Sequence, residues 1–531
     1  MAASKFRLIN LDDLPGMLKW GAHYDPRLEH YSFTDFDPED IQGWYYAKQR
    51  FLTRKLFGLI VDDVAVGFIT LKKINFIYRT AEIGIAVNPD EFGKGYGTEM
   101  IHSLLAHVYG NFPIETVYLD VAEFNVNARR LYEKCGFMYV GEEMKAYESQ
   151  ANKELITAFP DDFRTVRGTM YAKFLRMSHQ KGTLTEPAPA KINLGLRVVG
   201  SRNGYHDLVT TMVTVDFEDL VHIRFNKKTQ GIRILSRHEG IPEEKNLCYI
   251  AAETFLKHPK FVCEESGDRG IEISIYKRIP EGAGMGGGSA DAAAVLRALN
   301  QLYGYPFDSD VLEEMALKIG SDVPFCVAGG AAIARGRGER LEPFKIDKPL
   351  HILIYPPEVK LSTAKVFTEF DRLSASAAEE EKKRRPMIRR SSEERRKPVA
   401  EEVAYPEACR LRDLIGKSPD IPESEEERDF PKDDFYTRSD LTFYEKLVRI
   451  FPPNDLESAA IRLVKERDGY TKSAPDDVIG LLRENGAVYA AMSGSGPGVY
   501  GIFESEFDAR IAQKKIPKSI YTITKYEEKS K

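Results

Sequence analysis

The sequence is poor in cysteine, and its five cysteines follow neither a metal-binding nor a disulfide spacing. None forms a CxxC pair or joins a His/Cys cluster, so neither a zinc site nor a disulfide framework is expected. No apolar run is long enough to cross a bilayer, and the opening stretch "MAASKFRLINLDDL" lacks the apolar core of a secretion signal. We therefore expect a soluble protein of the reducing cytoplasm.

An excess of either charge is also absent. The chain has 75 Lys and Arg against 81 Asp and Glu, a net charge of −6, which gives no general attraction to nucleic acid or membrane. The chain has 531 residues, 43% of them apolar, which is more than a single hydrophobic core ordinarily organises. This length predicts two or three domains. We expect small-molecule partners, with no nucleic acid and no membrane; the oligomeric state is left open.

The pattern of elements divides the chain into successive segments. The first part alternates strands and helices, with a hairpin across Asp62-Asp63 in "FGLIVDDVAVGFITL" and a strand at "AEIGIAV". A polar, weakly periodic stretch follows and is typical of a linker. The expected divisions are a first domain over 1–176, a linker over 177–187, and a second globular region in two parts, 188–372 and 440–531, around a charged insertion over 373–439.

The charged insertion contains "EEEKKRRPMIRRSSEERRKPVAEE" and almost no apolar residues. Such a stretch cannot bury enough surface to offset its ordering entropy, so we expect it to be disordered or loosely helical. A basic recognition tail is the alternative, which the balanced signs disfavour.

A cluster of glycines stands between a strand and a helix in the second region. "IEISIYKRIP" alternates as a strand, the glycines of "PEGAGMGGGSADAAA" follow, and an apolar helical face begins after them. A helix start of this kind presents backbone N–H groups to an anion. The spacing fits neither a Walker loop nor GxGxxG. Ser289 and Asp291 suit the first turn as caps. No lysine follows the glycines, so phosphate charge must be neutralised from elsewhere.

Further candidate residues lie on neighbouring segments of this region. In "PAKINLGLRVVG", Lys191 and Asn193 alternate with apolar residues and lie on the face opposite the core. Asp322 stands in a turn before an apolar run, where an acid is usually a cap but can also serve an attacking hydroxyl in phosphoryl transfer. "MSGSGPGVYGIF" is a second glycine-rich turn, which alone predicts only a hairpin.

Together these motifs resemble the GHMP kinase superfamily. "PAPAKINLGL", "PEGAGMGGGSADAA" and "AAMSGSGPGVYGIF" occur in the family's order, over roughly 185–372 and 440–525. The segments "RNGYHDLVTTM", "GSDVPF", "STAKVF" and "NDLE" resemble the branch whose substrate is 4-diphosphocytidyl-2-C-methyl-D-erythritol, in the methylerythritol phosphate route to isoprenoids. The insertion is longer than the family pattern.

The resemblance implies a two-lobed fold and a site for ATP with Mg²⁺. Lys191 and Asp322 match the catalytic pair, although Asp322 could be only a cap. Tyr205 and His206 match positions that hold the cytosine ring, although His206 alone would be read as a turn histidine. Another small-molecule GHMP kinase, for homoserine or mevalonate, is the alternative. Further substrate contacts match Asn193, Thr363 and Phe367, and the ATP phosphates would lie on Pro280, Glu281, Gly282, Ala283, Gly284, Met285, Gly286, Gly287, Gly288, Ser289 and Ala290.

The first region resembles the GNAT acetyltransferases over roughly residues 5–176. "VNPDEFGKGYGTEMIHSLLAHVYG" gives a strand, a glycine turn and an amphipathic helix, and "YLDVAEFNVNARRLYEKCGF" gives a strand and a second helix. The fold class expected for the chain is therefore α/β plus α+β: a GNAT-type mixed sheet domain followed by a GHMP kinase fold.

This second resemblance implies acetyl-CoA as cofactor. Asn125 and Tyr132 match the family's helix positions, with Tyr132 protonating the leaving thiolate, and Glu82 is a candidate base for an amine. The family usually has Gln or Arg where Phe92 stands, so weaker CoA binding is expected. A non-catalytic CoA-sensing module is the alternative, and polyamine, antibiotic and protein N-terminus all stay open as acceptor. The pyrophosphate would lie on Phe92, Gly93, Lys94, Gly95, Tyr96, Gly97 and Thr98.

Overall fold

A computed structural model describes residues 4–49, 54–150, 152–202, 204–235, 242–261, 270–346, 348–384, 454–468 and 474–524. The chain divides into two compact units. The first unit comprises Met1–Thr185, His222–Glu243 and Cys263–Tyr276, and the second comprises Glu186–Val221, Glu244–Val262 and Lys277–Lys531. The first unit thus includes two segments from within the region where the sequence predicts the second domain.

The first unit is built on an eight-stranded mixed sheet. Its strands are β1 (Ser4–Leu8), β2 (Arg54–Val61), β3 (Val64–Asn75), β4 (Thr80–Val87), β5 (Thr116–Ala122), β6 (Met138–Ala146), β7 (Phe163–Val166) and β8 (Thr169–Gln180). They follow the order β1-β2-β3-β4-β5-β8-β6, and β7 pairs with β8. Only β4 and β5 run parallel among these pairs.

The predicted hairpin and the predicted strand at 81–87 are both confirmed. β2 and β3 are antiparallel, with Val61 opposite Val64. Asp62 and Asp63 have φ of 47° and 60°, the left-handed values of a tight turn that matches the strand twist.

Five α-helices accompany this sheet among the described residues. They are α1 (Leu14–Met17), α2 (Pro38–Lys48), α3 (Tyr96–Asn111), α4 (Val126–Lys134) and α5 (Glu154–Ala158). The apolar face predicted for α3 is confirmed, because Ile101, Leu104, Leu105 and Val108 are buried in the core beside β4 and β5.

Strand replaces the linker expected over 177–187. β8 continues to Gln180, which lies opposite Thr116 of β5, and the next strand begins at Leu184. Polar composition suggested a linker, but the partner strand lies far earlier in the chain. Local composition cannot reveal pairing between strands that are so far apart in the chain.

The remaining strands form a six-stranded and a four-stranded sheet. The six strands are β9 (Leu184–Arg202), β10 (Tyr205–Asn226), β11 (Ile232–Ile234), β12 (Gly270–Tyr276), β13 (Ala331–Gly336) and β14 (Arg340–Phe344). Their order is β11-β12-β10-β13-β14, and β9 pairs with β10. The four strands, in the order β16-β17-β15-β18, are β15 (His351–Tyr355), β16 (Tyr489–Met492), β17 (Val499–Phe503) and β18 (Ile520–Ile523).

The second unit carries eight α-helices among its described residues. They are α6 (Leu247–Leu256), α7 (Gly287–Leu302), α8 (Ser309–Ile319), α9 (Val323–Ala328), α10 (Thr363–Arg384), α11 (Glu457–Asp468), α12 (Pro475–Glu484) and α13 (Glu506–Lys515). Residues 373–384, the start of the expected charged insertion, therefore continue helix α10. The rest of that insertion lies outside the described residues.

Helix α7 begins differently from the sequence-based expectation. Gly286 is its N-cap, with φ of 68°, and no side chain caps the helix. Ser289 and Asp291 lie inside the helix, so the capping role expected for them is wrong. The left-handed backbone at the helix start requires glycine and leaves no side chain to cap it.

Candidate active sites

The Lys191 ammonium and the Asp322 carboxylate meet in the second unit. Lys191 lies on β9 and Asp322 immediately precedes α9, and Nζ of the lysine is 3.2 Å from Oδ2 of the aspartate. The lysine side chain is only 5% exposed, whereas that of the aspartate is 37% exposed. Asp322 makes no side-chain cap to α9. The pair therefore joins a buried cation to a carboxylate that a substrate can reach.

Contacts to neighbouring residues orient Lys191. Its Nζ donates to Oδ1 of Asn193, whose Nδ2 donates to Oγ1 of Thr210 over 2.8 Å. Its backbone N–H donates to the carbonyl of Met285 in the glycine loop over 3.0 Å. Lys191 and Asn193 are both buried, so this face of β9 is not solvated. The lysine is thus fixed beside the loop that follows β12.

The two glycine-rich turns pack backbone to backbone. A Cβ on Gly284 would lie 2.0 Å from the carbonyl oxygen of Ser493, and one on Gly496 would lie 2.2 Å from the amide of Gly284. Oγ of Ser493 donates to the carbonyl of Gly284 over 3.2 Å. No side chain fits between the two turns at Gly284. The packing of the second turn therefore requires glycine there, whether or not a ligand binds.

Lys277 supplies a positive charge that sequence reasoning missed. It follows β12, upstream of the glycines, and its Nζ donates to Asp219 and, over 2.8 Å, to Asp291. A Cβ on Gly287 would lie 3.3 Å from that Nζ, so the lysine lies under the first turn of α7. Burial raises the pKa of the Asp291 carboxyl to about 7 against the opposing pull of Lys277. Lys277 precedes the glycines in the chain, whereas a Walker-type lysine follows them.

An aromatic cluster contains two of the predicted substrate positions, His206 and Phe367, and two more, Tyr205 and Thr363, lie close to them in the chain. The imidazole of His206 stacks on Phe367 with ring centroids 4.7 Å apart, and the guanidinium of Arg337 lies 5.0 Å from the exposed Tyr205 ring. Oγ1 of Thr363 is 2.9 Å from Oγ of Ser495, in the second glycine turn. Rings of this kind present flat faces suited to a planar base.

A second candidate site is a cavity of about 580 Å³ in the first unit. Strands β4 and β5 pair only where Thr80–Glu82 faces Thr116–Tyr118. Beyond that point Ile85–Val87 and Asp120–Ala122 both line the cavity. The opening thus lies where two parallel strands stop pairing and leave backbone groups exposed.

The predicted glycine turn forms one wall of this cavity. All of Phe92–Thr98 except Lys94 line it, while Nζ of Lys94 is 2.8 Å from Oε2 of Glu91. Gly93 and Gly95 have φ of 83° and 88°, and a Cβ on either would meet open space. The turn therefore presents bare backbone at the start of the 16-residue helix α3.

Tyr132 and Asn125 also line the cavity, on and before α4. Tyr132 is buried, and burial raises the pKa of its phenol, which keeps the hydroxyl protonated and able to donate. Oδ1 of Asn125 accepts from the amide of Ala128 over 3.1 Å as the N-cap of α4. The side chain of Asn125 therefore caps α4 in addition to lining the cavity.

Glu82 does not join this site. It is absent from the cavity lining, and its buried carboxylate accepts from Lys73 over 2.9 Å and pairs with Lys72 at 3.2 Å. Burial alone would raise the pKa of Glu82, but the hydrogen bond from Lys73 and the charge of Lys72 outweigh it and lower that pKa. Two neighbouring lysines contact its oxygens, and the role of Glu82 as base stays a prediction.

Within the described ranges, no three His, Cys, Asp or Glu side chains converge as metal ligands. None of the described helices is long and apolar enough to cross a membrane.

Three family models match the chain. They are the GNAT acetyltransferase domain over residues 5–138, the N-terminal domain of GHMP kinases over 246–330, and the C-terminal domain of GHMP kinases over 447–522.

Proteins named 4-diphosphocytidyl-2-C-methyl-D-erythritol kinase are similar to it. That of Syntrophomonas wolfei is 35% identical over 343 residues, 64% of this chain and 94% of the relative. That of Caldanaerobacter subterraneus is 30% identical over 317 residues, 60% of this chain and 86% of the relative. That of a Geobacillus species is 43% identical over 182 residues, 34% of this chain and 61% of the relative.

Two solved structures align with separate parts. A crystal structure of 4-(cytidine 5'-diphospho)-2C-methyl-D-erythritol kinase aligns at 28% identity with a TM-score of 0.42, covering 64% of this chain and 99% of that one. A chimeric spermidine N-acetyltransferase from Vibrio cholerae and hSSAT aligns at 23% identity with a TM-score of 0.26, covering 33% and 95%.

The chain belongs to the GHMP kinase family and carries a GNAT acetyltransferase domain in its N-terminal part. The relatives that show the kinase membership bear the name of the branch expected from the sequence motifs. The expected fold class, mixed α/β with a GNAT-like domain and a GHMP kinase fold, is confirmed.

Proposed function

We propose that the second unit phosphorylates 4-diphosphocytidyl-2-C-methyl-D-erythritol with ATP, at the tertiary hydroxyl of its methylerythritol part. The observation that carries the proposal is the Lys191–Asp322 pair, 3.2 Å apart beside two abutting glycine turns. The names of the relatives support the choice of substrate.

In this proposal Asp322 accepts the proton of the attacking hydroxyl. The hydroxyl oxygen bonds to the γ-phosphorus as the bond to the β–γ bridging oxygen breaks, and ADP leaves. Base assistance of this kind is worth about 10²–10⁴ in rate. Lys191 orients that carboxylate and faces the charge that develops on the transferring group. Its burial strengthens both effects, because the local dielectric is low.

The loop from Pro280 to Ala290 would hold the ATP phosphates through backbone N–H groups at the start of α7. This helix has 16 residues, long enough for its dipole to favour an anion at that end. Mg²⁺ would arrive with ATP, since such sites use one or two carboxylates plus the phosphates themselves.

Substrate choice is the sharpest test of the proposal. We expect the purified full chain to consume ATP with 4-diphosphocytidyl-2-C-methyl-D-erythritol and to ignore homoserine and mevalonate. The aromatic cluster supports this expectation, since only the cytidyl substrate has a base to stack on Tyr205 or Phe367. Phosphorylation of homoserine or mevalonate, with none of the cytidyl substrate, would establish another GHMP kinase.

We also propose that the first unit transfers an acetyl group from acetyl-CoA to an amine. The cavity supports this proposal, because it joins the bare Phe92–Thr98 turn to the hydroxyl of Tyr132. Tyr132 would return a proton to the CoA thiolate as the new amide bond forms. A CoA-sensing module without turnover is the rival. Tight binding without acetylation of any polyamine, aminoglycoside or N-terminal peptide would favour it.

Gly95→Asp tests the placement of the pyrophosphate. The carboxylate would face the pyrophosphate, and bringing like charges together costs several kcal/mol. We therefore expect the affinity for acetyl-CoA to fall by about 100-fold or more. The measurement is calorimetry on the full chain. Gly168→Asp is the matched control, since Gly168 has φ of 80° and open space but does not line the cavity. Equal affinities of the two variants would refute the placement.

A further inference from the structure

We propose that Asp371 is a positioning residue for base selection: it fixes which nitrogen of His206 carries hydrogen and so makes the site prefer cytosine to uracil. The inference rests on the proposed kinase function, which places a cytidyl group at His206. It names a residue outside the sequence motifs and assigns it a distinct task.

The geometry comes from helix α10. Phe367 and Asp371 lie four residues apart, hence on one face of the helix. Phe367 stacks on the imidazole at 4.7 Å and 22°, and Oδ1 of Asp371 lies 2.7 Å from Nε2 of His206. The Phe370 ring adds an edge contact at 6.2 Å. The imidazole, 19% exposed, is therefore held in position and in its plane by a single helix.

Hydrogen bonding then determines the state of the ring. The carboxylate oxygen of Asp371 is an acceptor, so Nε2 of His206 donates to it. In a neutral imidazole the other nitrogen, Nδ1, is then a bare acceptor. Among the described residues none hydrogen-bonds Nδ1. The ring thus presents a fixed acceptor that is available to a ligand.

A fixed acceptor discriminates between the two pyrimidines. Cytosine carries an exocyclic amine that donates, whereas uracil carries a carbonyl that accepts at the same place. Nδ1 accepts from the amine, but it would face the uracil carbonyl as a second acceptor. Without Asp371 the ring can exchange its hydrogen between nitrogens and serve either base. Asp371 therefore acts on selectivity, and only through His206.

Asp371→Ala in the full chain is the test. We expect the preference for cytidine 5'-diphosphate over uridine 5'-diphosphate, measured by calorimetry, to fall about tenfold, the worth of one hydrogen bond. With the corresponding cytidyl and uridyl substrates, the change should appear in KM while kcat is nearly unchanged. Asp371→Asn, whose amide oxygen can still accept from Nε2, should restore part of the preference.

Glu369→Ala is the matched control. Glu369 lies on the same helix and pairs with Arg372 and Arg462 rather than with His206, so its loss removes the same charge without touching the imidazole. This variant should keep the cytidine preference. Equal losses in the two variants would mean that only helix charge matters, and the proposal would be wrong.

Nitrogen NMR provides a readout that a merely structural role would not change. In protein with ¹⁵N-labelled histidine, assigned with His206→Gln, the wild type should show Nδ1 bare and Nε2 protonated. Asp371→Ala should shift both signals toward a mixture. A protonated Nδ1 in the wild type, or no preference for cytidine 5'-diphosphate, overturns the proposal. If the nucleotide preference and the NMR shifts hold but the cytidyl substrate is not phosphorylated, the kinase proposal alone fails.

Discussion

Asp322→Asn is expected to lower the kcat of phosphoryl transfer by about 100-fold or more, with ATP and substrate binding nearly unchanged. Asparagine keeps the shape of the side chain 3.2 Å from Nζ of Lys191 but cannot take up the proton of the hydroxyl. The loss should appear in kcat, because proton transfer matters chiefly in the transition state. Steady-state kinetics with both substrates varied, and unfolding curves of each variant, provide the measurement.

Two companion substitutions separate catalysis from structure. Lys191→Ala should also lower kcat, and the double variant should be little worse than either single variant, since the pair acts as a unit. Asp308→Asn is the control: Asp308 is a true N-cap, accepting from the amide of Val311, and lies at the start of neighbouring helix α8. If Asp322→Asn raises KM with kcat unchanged, or unfolds the protein, Asp322 is not the base.

Glu272→Ala is expected to lower the free energy of unfolding of the first unit by about 3–5 kcal/mol, because it leaves a buried guanidinium without its partner. Glu272 accepts from Nε of Arg224 and Nδ2 of Asn226, each over 2.7 Å, and from Oγ1 of Thr229. The Arg224 side chain is only 2% exposed, and its Nη1 also donates to the carbonyl of Ser178 on β8. Denaturant unfolding at neutral pH gives the measurement.

The effect of Glu272→Ala should shrink in acid. Burial alone would raise the pKa of Glu272, but the hydrogen bond from Thr229 and the charge of Arg224 outweigh it and lower that pKa. The stabilisation is therefore present above the unfolded-state pKa and is lost as pH falls through the folded-state pKa. Glu342→Ala is the control, because its pair with Arg335 is 44% exposed on the glutamate side and is worth about 1 kcal/mol at most. Equal effects would contradict the buried-network argument.

This network also explains why the expected domain boundary differs from the observed units. Arg224 and Glu272 lie in segments that the sequence motifs assign to the kinase, yet both belong to the first unit with Ser178. Their side chains close a polar cluster whose members are far apart in the chain. A domain boundary predicted from local composition cannot take such long-range contacts into account.

Local structural features could be predicted from the sequence. The Asp62-Asp63 hairpin, the apolar face of α3 and the strand before the glycines each depend on the side-chain periodicity of a few consecutive residues, and the structure has them. The local pattern also made Lys191 and Asp322 candidates, and the resemblance to the GHMP kinases paired them. The lysine contacts of Glu82 could not be predicted in this way, because Lys72 and Lys73 come from another strand.

The sequence by itself determined the two classes of fold, the positions of the glycine turns in each domain and the chemistry available to each turn. Only the tertiary structure decided that Lys191 meets Asp322, that Lys277 reaches beneath the glycine loop, and that Gly284 is required by the carbonyl of Ser493. The physical reason is range: periodicity and turn chemistry act over a few residues, whereas burial, pairing of charges and backbone contact depend on groups that only folding brings together.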